Sequence, residues 1–279
     1  MSRLQQENAM TARAAGALYQ TEKRNVLDWL RDKMTARVAG LLYLINGTAG
    51  LFSYKIVPGR LIVQGNASAT AHNILVSEML FRVGIVSELV GAVAFILLAI
   101  TLYRLFNKVN KTHASLLVAF ILVASAIMFL IPLNEIAALA LFHGTGFLSV
   151  FQKQQLDAQA MLFLNVHDQG VIVANIFWGL WLFPFGVLVM RSGFIPRILG
   201  VLLIAACFGY VANSLLLLLA PSDGSVVNLV TICSYILGGV AEGSTQLWLL
   251  IMGVKVPRVA APPLDPAVIE RATSTASSR

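Results

Sequence analysis

The sequence predicts an all-α, polytopic membrane protein: a bundle of six transmembrane helices with both termini on the cytoplasmic side. Three observations predict it. Only 12% of the 279 residues are charged and 58% are hydrophobic, with a mean hydropathy of +0.79. Soluble domains carry roughly 25% charged residues. The apolar residues gather into runs long enough to cross hydrocarbon, which takes about 20 residues. Lysines and arginines concentrate in alternate connections, the asymmetry that sets orientation.

The expected spans are Ala36–Tyr54, Phe81–Leu105, Ala114–Phe142, Leu162–Met190, Ile195–Leu219 and Val226–Val254. The first is the shortest, its centre diluted by Asn46, Gly47 and Thr48. The longest imply tilt, kinks or protruding ends. Pro132 and Pro184 each withhold an N–H and free backbone carbonyls, so they mark kink positions. With the N-terminus inside, sixteen of the 20 basic residues fall on the cytoplasmic side and four outside: Lys55, Arg60, Arg82 and Lys153. The formal charge of +7 is thereby a topology signal and implies no nucleic-acid partner.

Three segments flank the spans. Residues 1–35 read as a cytoplasmic N-terminal segment, in which "NVLDWLRDKM" (25–34) carries the apolar pattern of a helix lying on the inner membrane surface. No short apolar core of a cleavable signal precedes it. "GNASATAHNILVSEML" (65–80) reads as a turn, a Ser68 or Thr70 cap and a short helix leading into the second span. Residues 256–279 are rich in Pro, Ser and Ala and are expected to be a disordered cytoplasmic tail. The membrane domain is thus 36–255.

Intramembrane acids are expensive and are functional candidates by default. Glu242 is deepest, near the middle of the sixth span. A rotation of about 100° per residue puts Asn228, Thr231, Tyr235, Gly238, Glu242, Thr245 and Gln246 on one polar stripe. Gly239 and Gly243 form a GxxxG spacing beside it, suited to close helix contact. Glu88 lies in the outer part of span 2, with Gly84 and Gly91 on its face leaving room for a partner helix or a small ligand. Glu135 and Asp168 are shallower. Asn134, Asn175, Tyr210 and Asn213 complete the set of polar residues that a pocket could recruit. Two readings stand beside each other: protonated, hydrogen-bonded carboxyls that hold the bundle together, or carboxyls lining an outward-facing polar pocket for a small molecule or lipid.

No catalytic constellation is legible, and the sequence favours a non-enzyme. His167 and Asp168 are adjacent, and adjacent helical residues do not face one another, so the pair reads as an interfacial helix start. No histidine pair has metal spacing. His72, His143 and His167 could meet Glu88, Glu135 or Asp168 only through the tertiary fold, and no metal or cofactor is implied. Cys207 and Cys233 sit in apolar runs and read as buried hydrophobes. No phosphate-binding Gly-rich loop is present, and neither cytoplasmic loop is long enough for an extra domain, which excludes a nucleotide-driven pump.

Four stretches carry a resemblance: "RVAGLLYL" from Arg37, "RLIVQGNASATAHNILVSEMLFRVGIV" from Arg60, "GLWLFPFGVLVMRSGFIPRILGVLL" from Gly179 and "AEGSTQLWLLIMGV" from Ala241. Together they resemble a bacterial family of six-span membrane proteins catalogued as a domain of unknown function. The resemblance covers roughly residues 35–255 and implies an inner-membrane bundle with no established activity. Its members often carry Asp at the position of Asn66 and an acid at that of Asn213. Three functions are therefore expected in turn: ligand binding or transport, a structural or regulatory subunit with a protein partner, or an intramembrane lipid-modifying enzyme. The enzyme would need His167, Asp168 and an outer Glu or Ser to come within hydrogen-bond reach.

Overall fold

In the computed structural model, residue 28, residues 30–219 and residues 224–254 are described. Every regular element among them is helical. Helix α1 covers 30–51 and continues through a π-helical turn, Phe52–Ile56, into α2, Val57–Leu61. Then follow α3 (Ala67–Val76), α4 (Glu78–Phe106), α5 (Lys111–Leu130), α6 (Pro132–His143), α7 (Lys153–Leu180), α8 (Leu182–Ser192), α9 (Arg197–Leu219) and α10 (Ser225–Ile251). A single 3₁₀ turn, Gly146–Val150, joins α6 to α7.

Five helices are long and apolar enough to cross a membrane: Glu78–Phe106, Lys111–His143, Lys153–Ser192, Arg197–Leu219 and Ser225–Ile251. They match expected spans two to six. The two longest are interrupted where the prolines predict: α5 gives way to α6 at Ile131, just before Pro132, and α7 to α8 at Trp181, three residues before Pro184. Residues 30–34, from the expected surface helix, run into α1 without a break. The remainder of that segment, and the tail from 255 onward, lie outside the described residues.

Neighbouring spans close a ring. α9 packs on α10, α8 and α7; α5 packs on α4, α7 and α8; α6 packs on α7. α1 joins the two free sides. Asn46 Nδ2 donates to the Gly91 carbonyl of α4 at 3.0 Å, and Gly40 lies against the backbone of Leu250 in α10. Gly84 and Gly91 are thus filled by a partner helix: their open faces meet Val57 and Ala49.

The outer surface is apolar in the periodic way that a lipid face requires. On α4, Val83, Val86, Val90, Val93, Leu97 and Ile100 are exposed, at spacings of three and four, while Phe81, Ile85, Ala92, Phe95, Leu98 and Leu102 face inward. Two apolar clusters fill the interior. The larger, around Phe95, Leu98, Phe106, Trp181, Phe185 and Leu203, occupies the half of the bundle nearer the α4–α5 and α8–α9 turns. The smaller, around Leu61, Ile74, Phe81, Leu139, Phe142 and Leu164, occupies the other. Polar residues collect at the seam.

At the start of α3 the cap differs from expectation. Asn66 caps the helix, its Oδ1 accepting from Ala69 N at 2.9 Å. Thr70 instead is buried and bonds both the N–H and the carbonyl of Val63, pinning the loop that precedes the helix. Asn and Asp serve this role about equally, so a cap at this position needs no negative charge.

Candidate functional site

Glu242 is held by two phenols. Tyr43 Oη on α1 donates to Glu242 Oε2 at 2.6 Å, and Tyr210 Oη on α9 donates to Oε1 at 2.9 Å. Each carboxyl oxygen therefore has a short, charge-compatible donor, an arrangement that fixes the group's position between three helices. Glycine makes it possible: a Cβ at position 238 would overlap the Tyr210 hydroxyl, so only Gly238 lets that ring lie across α10. Trp181 underlies the group. Freed to turn at the α7–α8 break, its ring stacks on Phe185 (5.3 Å) and meets Tyr43 and Phe95 edge-on, each at 5.4 Å.

Above this floor lies a cavity of about 1150 Å³, near or above the roughly 300–1,000 Å³ of most small-molecule sites. Its wall combines Tyr43, Gly47, Gly50 and Tyr54 with His167, Asp168, Asn175, Trp178, Tyr210, Thr231, Tyr235, Glu242 and Gln246. Thr48, Leu51 and Lys55 of the α1 region and Tyr235 and Gly239 of α10 are exposed and also line it. The cavity is bounded there by the gap between these two helices. Lys55 Nζ spans the gap over the Tyr235 ring at 5.1 Å.

The expected polar stripe of α10 is largely present: Thr231, Tyr235, Glu242 and Gln246 all line the cavity. The GxxxG pair is not a packing seam. A Cβ on either Gly239 or Gly243 would meet nothing within 4 Å, and both residues face the cavity. Their missing side chains hold space open.

Of the other sequence candidates, Tyr210, Asn175 and Asp168 join Glu242 on the wall. Asn175 Nδ2 also donates to Ser214 Oγ at 3.2 Å. Asn213 does not line the cavity. It is fully buried between α9 and α10, accepting from Thr231 Oγ1 at 2.7 Å while its Nδ2 finds no partner. Asn134 turns back on the Pro132 kink, its Nδ2 donating at 3.1 Å to the Ile131 carbonyl, which also accepts from the Asn134 backbone N–H.

Glu88 and Glu135 sit behind the wall, in the seam between the apolar clusters, and both face His167. His167 Nε2 is 3.1 Å from Glu88 Oε1 and 3.9 Å from Glu135 Oε2, and Nδ1 is 3.3 Å from Asp168 Oδ1. His167 is no interfacial helix start. Its helix begins fourteen residues earlier at Lys153, and the side chain is 4% exposed. The adjacent Asp168, 60% exposed at its side chain, curls back to the imidazole instead of pointing away. Sequence reasoning also missed Tyr43 and Tyr54, although Tyr43, Asn46, Gly47, Gly50 and Tyr54 recur at helical spacing along the first expected span and all line the cavity. Tyr43 and Glu242 are 199 residues apart, and no spacing rule reaches that far.

Membrane-length helices around a cavity walled in part by a tyrosine-bound glutamate define the class: a helical membrane protein with an internal cavity. Over residues 38–253 the chain matches, and belongs to, the family described as Domain of unknown function (DUF4386). No curated protein and no solved structure matches it.

Proposed function

We propose that this is a six-span protein of a bacterial inner membrane, with both termini cytoplasmic, which binds or transports a small amphiphilic molecule or lipid in the cavity beside Glu242. The observation that carries the reading is the Glu242 carboxyl, presented to a cavity of about 1150 Å³ by Tyr43 and Tyr210. α1 serves as the sixth span, since it packs on both α4 and α10 and supplies Tyr43. Sixteen of the 20 basic residues then lie on the cytoplasmic side, and the Asp168 end of the cavity faces outward. Access between α1 and α10, past exposed Leu51 and Gly239, favours a ligand that arrives from the bilayer. The subunit reading expects a packed interior with glycine faces turned to a partner, and Gly239 and Gly243 line a cavity instead.

Native mass spectrometry of the protein extracted gently from its own membrane, beside Glu242→Gln, tests the proposal. A bound mass retained by the wild type and lost from the variant supports it and names the ligand class. Ligand-free masses in both, or equal retention, overturn it.

One observation favours a second reading. His167 on the cavity wall reaches Asp168 beside it and Glu88 behind it, the meeting that an intramembrane enzyme acting on lipid requires. Its test is turnover: lipid products formed by the wild type and absent with His167→Ala.

A further inference from the structure

The seam between the two apolar clusters holds a group that the cavity reading does not use. Glu88 from α4, Glu135 from α6 and His167 from α7 each present one ligand atom, and the three atoms lie within 4.8 Å of one another. These residues are 1%, 4% and 4% exposed. A single ring nitrogen, His167 Nε2, faces both carboxyls at 3.1 and 3.9 Å. Glu88 Oε2 and Glu135 Oε2 are buried without any hydrogen-bond partner. Among the described residues, no lysine or arginine forms an ion pair with either glutamate.

Two carboxyls around one imidazole, with two bare oxygens in an apolar interior, are costly unless a cation or protons share them. The surroundings of the remaining imidazole nitrogen suit a cation. His167 Nδ1 faces Asp168 Oδ1 at 3.3 Å, and a proton held on Nδ1 by that carboxylate leaves the Nε2 lone pair free, aimed at the glutamates. Carboxylate, histidine and metal arranged in this order are what orients most metal-bound imidazoles.

We propose that Glu88, Glu135 and His167 form a site for a divalent transition-metal ion, with Asp168 as the residue that positions the imidazole. One nitrogen and two carboxylate donors suit Zn²⁺, Mn²⁺ or Fe²⁺. No thiolate is present to select copper(I), and the set is short of the six to eight oxygens that Ca²⁺ takes. The Tyr54 hydroxyl is also buried without a partner, and its ring centroid lies 6.2 Å from that of His167. It is carried there by the π-helical turn, a distortion found disproportionately at functional sites. Since Tyr54 and His167 both line the cavity, a remaining coordination position would be open to water or ligand. Three protein ligands with one open position distinguish a reactive zinc site from a closed structural one. The proposal concerns residues that the enzyme reading shares, and it depends on neither turnover nor a bound lipid.

The test uses the full chain in detergent, stripped with a chelator and titrated separately with Zn²⁺, Mn²⁺ and Fe²⁺. Bound metal is counted by elemental mass spectrometry, and affinity is measured by competition with a chelating dye. The wild type is expected to hold about one ion per chain of at least one of the three, and Glu135→Gln to lose it. Asp168→Asn, at a side chain 60% exposed, is expected to keep the fold and to weaken affinity by about 10–100-fold. Absence of stoichiometric binding in the wild type overturns the proposal. So does wild-type affinity in Asp168→Asn together with Glu135→Gln. Because the readout is bound metal and no candidate cavity ligand is added, failure of the cavity reading leaves this result interpretable.

Discussion

Gly238 decides how Glu242 is held, and it does so by having no side chain. The Tyr210 hydroxyl occupies the space where a Cβ on residue 238 would lie. Gly238→Ala must therefore push the phenol off the Glu242 carboxyl, and it is expected to reproduce Tyr210→Phe in both stability and ligand retention. Hydrogen bonds between membrane helices average about 0.6 kcal/mol and reach about 1.7, so each of Tyr210→Phe and Tyr43→Phe is expected to lower unfolding free energy by that order. Reversible unfolding in mixed micelles measures it. A Gly238→Ala protein as stable as wild type, with unchanged retention, would place Tyr210 elsewhere. At this scale the sequence was half legible. Glu242 stood out by its depth in an apolar run, and Tyr210 by being polar within one. Tyr43 did not, and His167 was singled out but read as a helix start, because a residue's partner across a bundle is set by which helices are neighbours. No periodicity within one helix carries that information.

Among elements, α10 and the α8–α9 pair use glycine in opposite ways. A Cβ on Gly200 would come within 2.6 Å of the Gly186 carbonyl and of a Met190 side-chain carbon, and one on Gly186 within 2.6 Å of the Gly200 carbonyl. These two helices touch through their backbones. Overpacking a tight contact costs about 1–3 kcal/mol or more, so Gly200→Leu and Gly186→Leu are expected to lower thermal stability sharply. Gly239→Leu and Gly243→Leu are expected to leave it near wild type and to abolish ligand retention by filling the cavity. Equal destabilisation by all four variants would return the α10 glycines to a packing role. The pairs differ in sequence: Gly186 and Gly200 are on different helices, and only Gly239 and Gly243 match a recognised contact spacing. The motif named the wrong pair because spacing on one helix cannot report whether a second helix is there to meet it. The helices themselves were readable, kinks included, since a proline's missing N–H acts locally. Asn66 gives the matching local test at the start of α3. Asn66→Asp is expected to keep the cap, and Asn66→Ala to cost about 1 kcal/mol.

For the whole molecule, everything at the cavity rests on α1 crossing the membrane. Its run is diluted by Asn46, Gly47 and Thr48, yet the first two meet other parts of the protein and Thr48 bonds the Leu44 carbonyl of its own helix. Asn46 bonds to the α4 backbone, and Gly47 lies against the Gln246 side chain. A polar span is tolerated where its polar face meets protein. Tyr43 can reach Glu242 only if α1 runs alongside α10 at mid-depth. Sidedness of labelling decides this. With Cys207 and Cys233 first replaced by alanine, single cysteines at Ser2, Gln64, Asn107, Phe147 and Gly193 would be challenged in intact cells with a membrane-impermeant maleimide. Gln64→Cys and Phe147→Cys are expected to react, while Ser2→Cys, Asn107→Cys and Gly193→Cys react only after lysis. The three inner positions accompany the basic residues around Arg37, Arg104 and Arg191, so the charge asymmetry and the labelling must agree. Reaction at Ser2 together with Gln64 in intact cells would mean that the chain before α4 stays on one side. α1 would then not be a span, and the pairing of Tyr43 with Glu242 would have no route by which to form. Labelling inverted at all five positions would keep the six-span bundle and its cavity but turn the Asp168 end toward the cytoplasm, making the ligand's side of approach the opposite one.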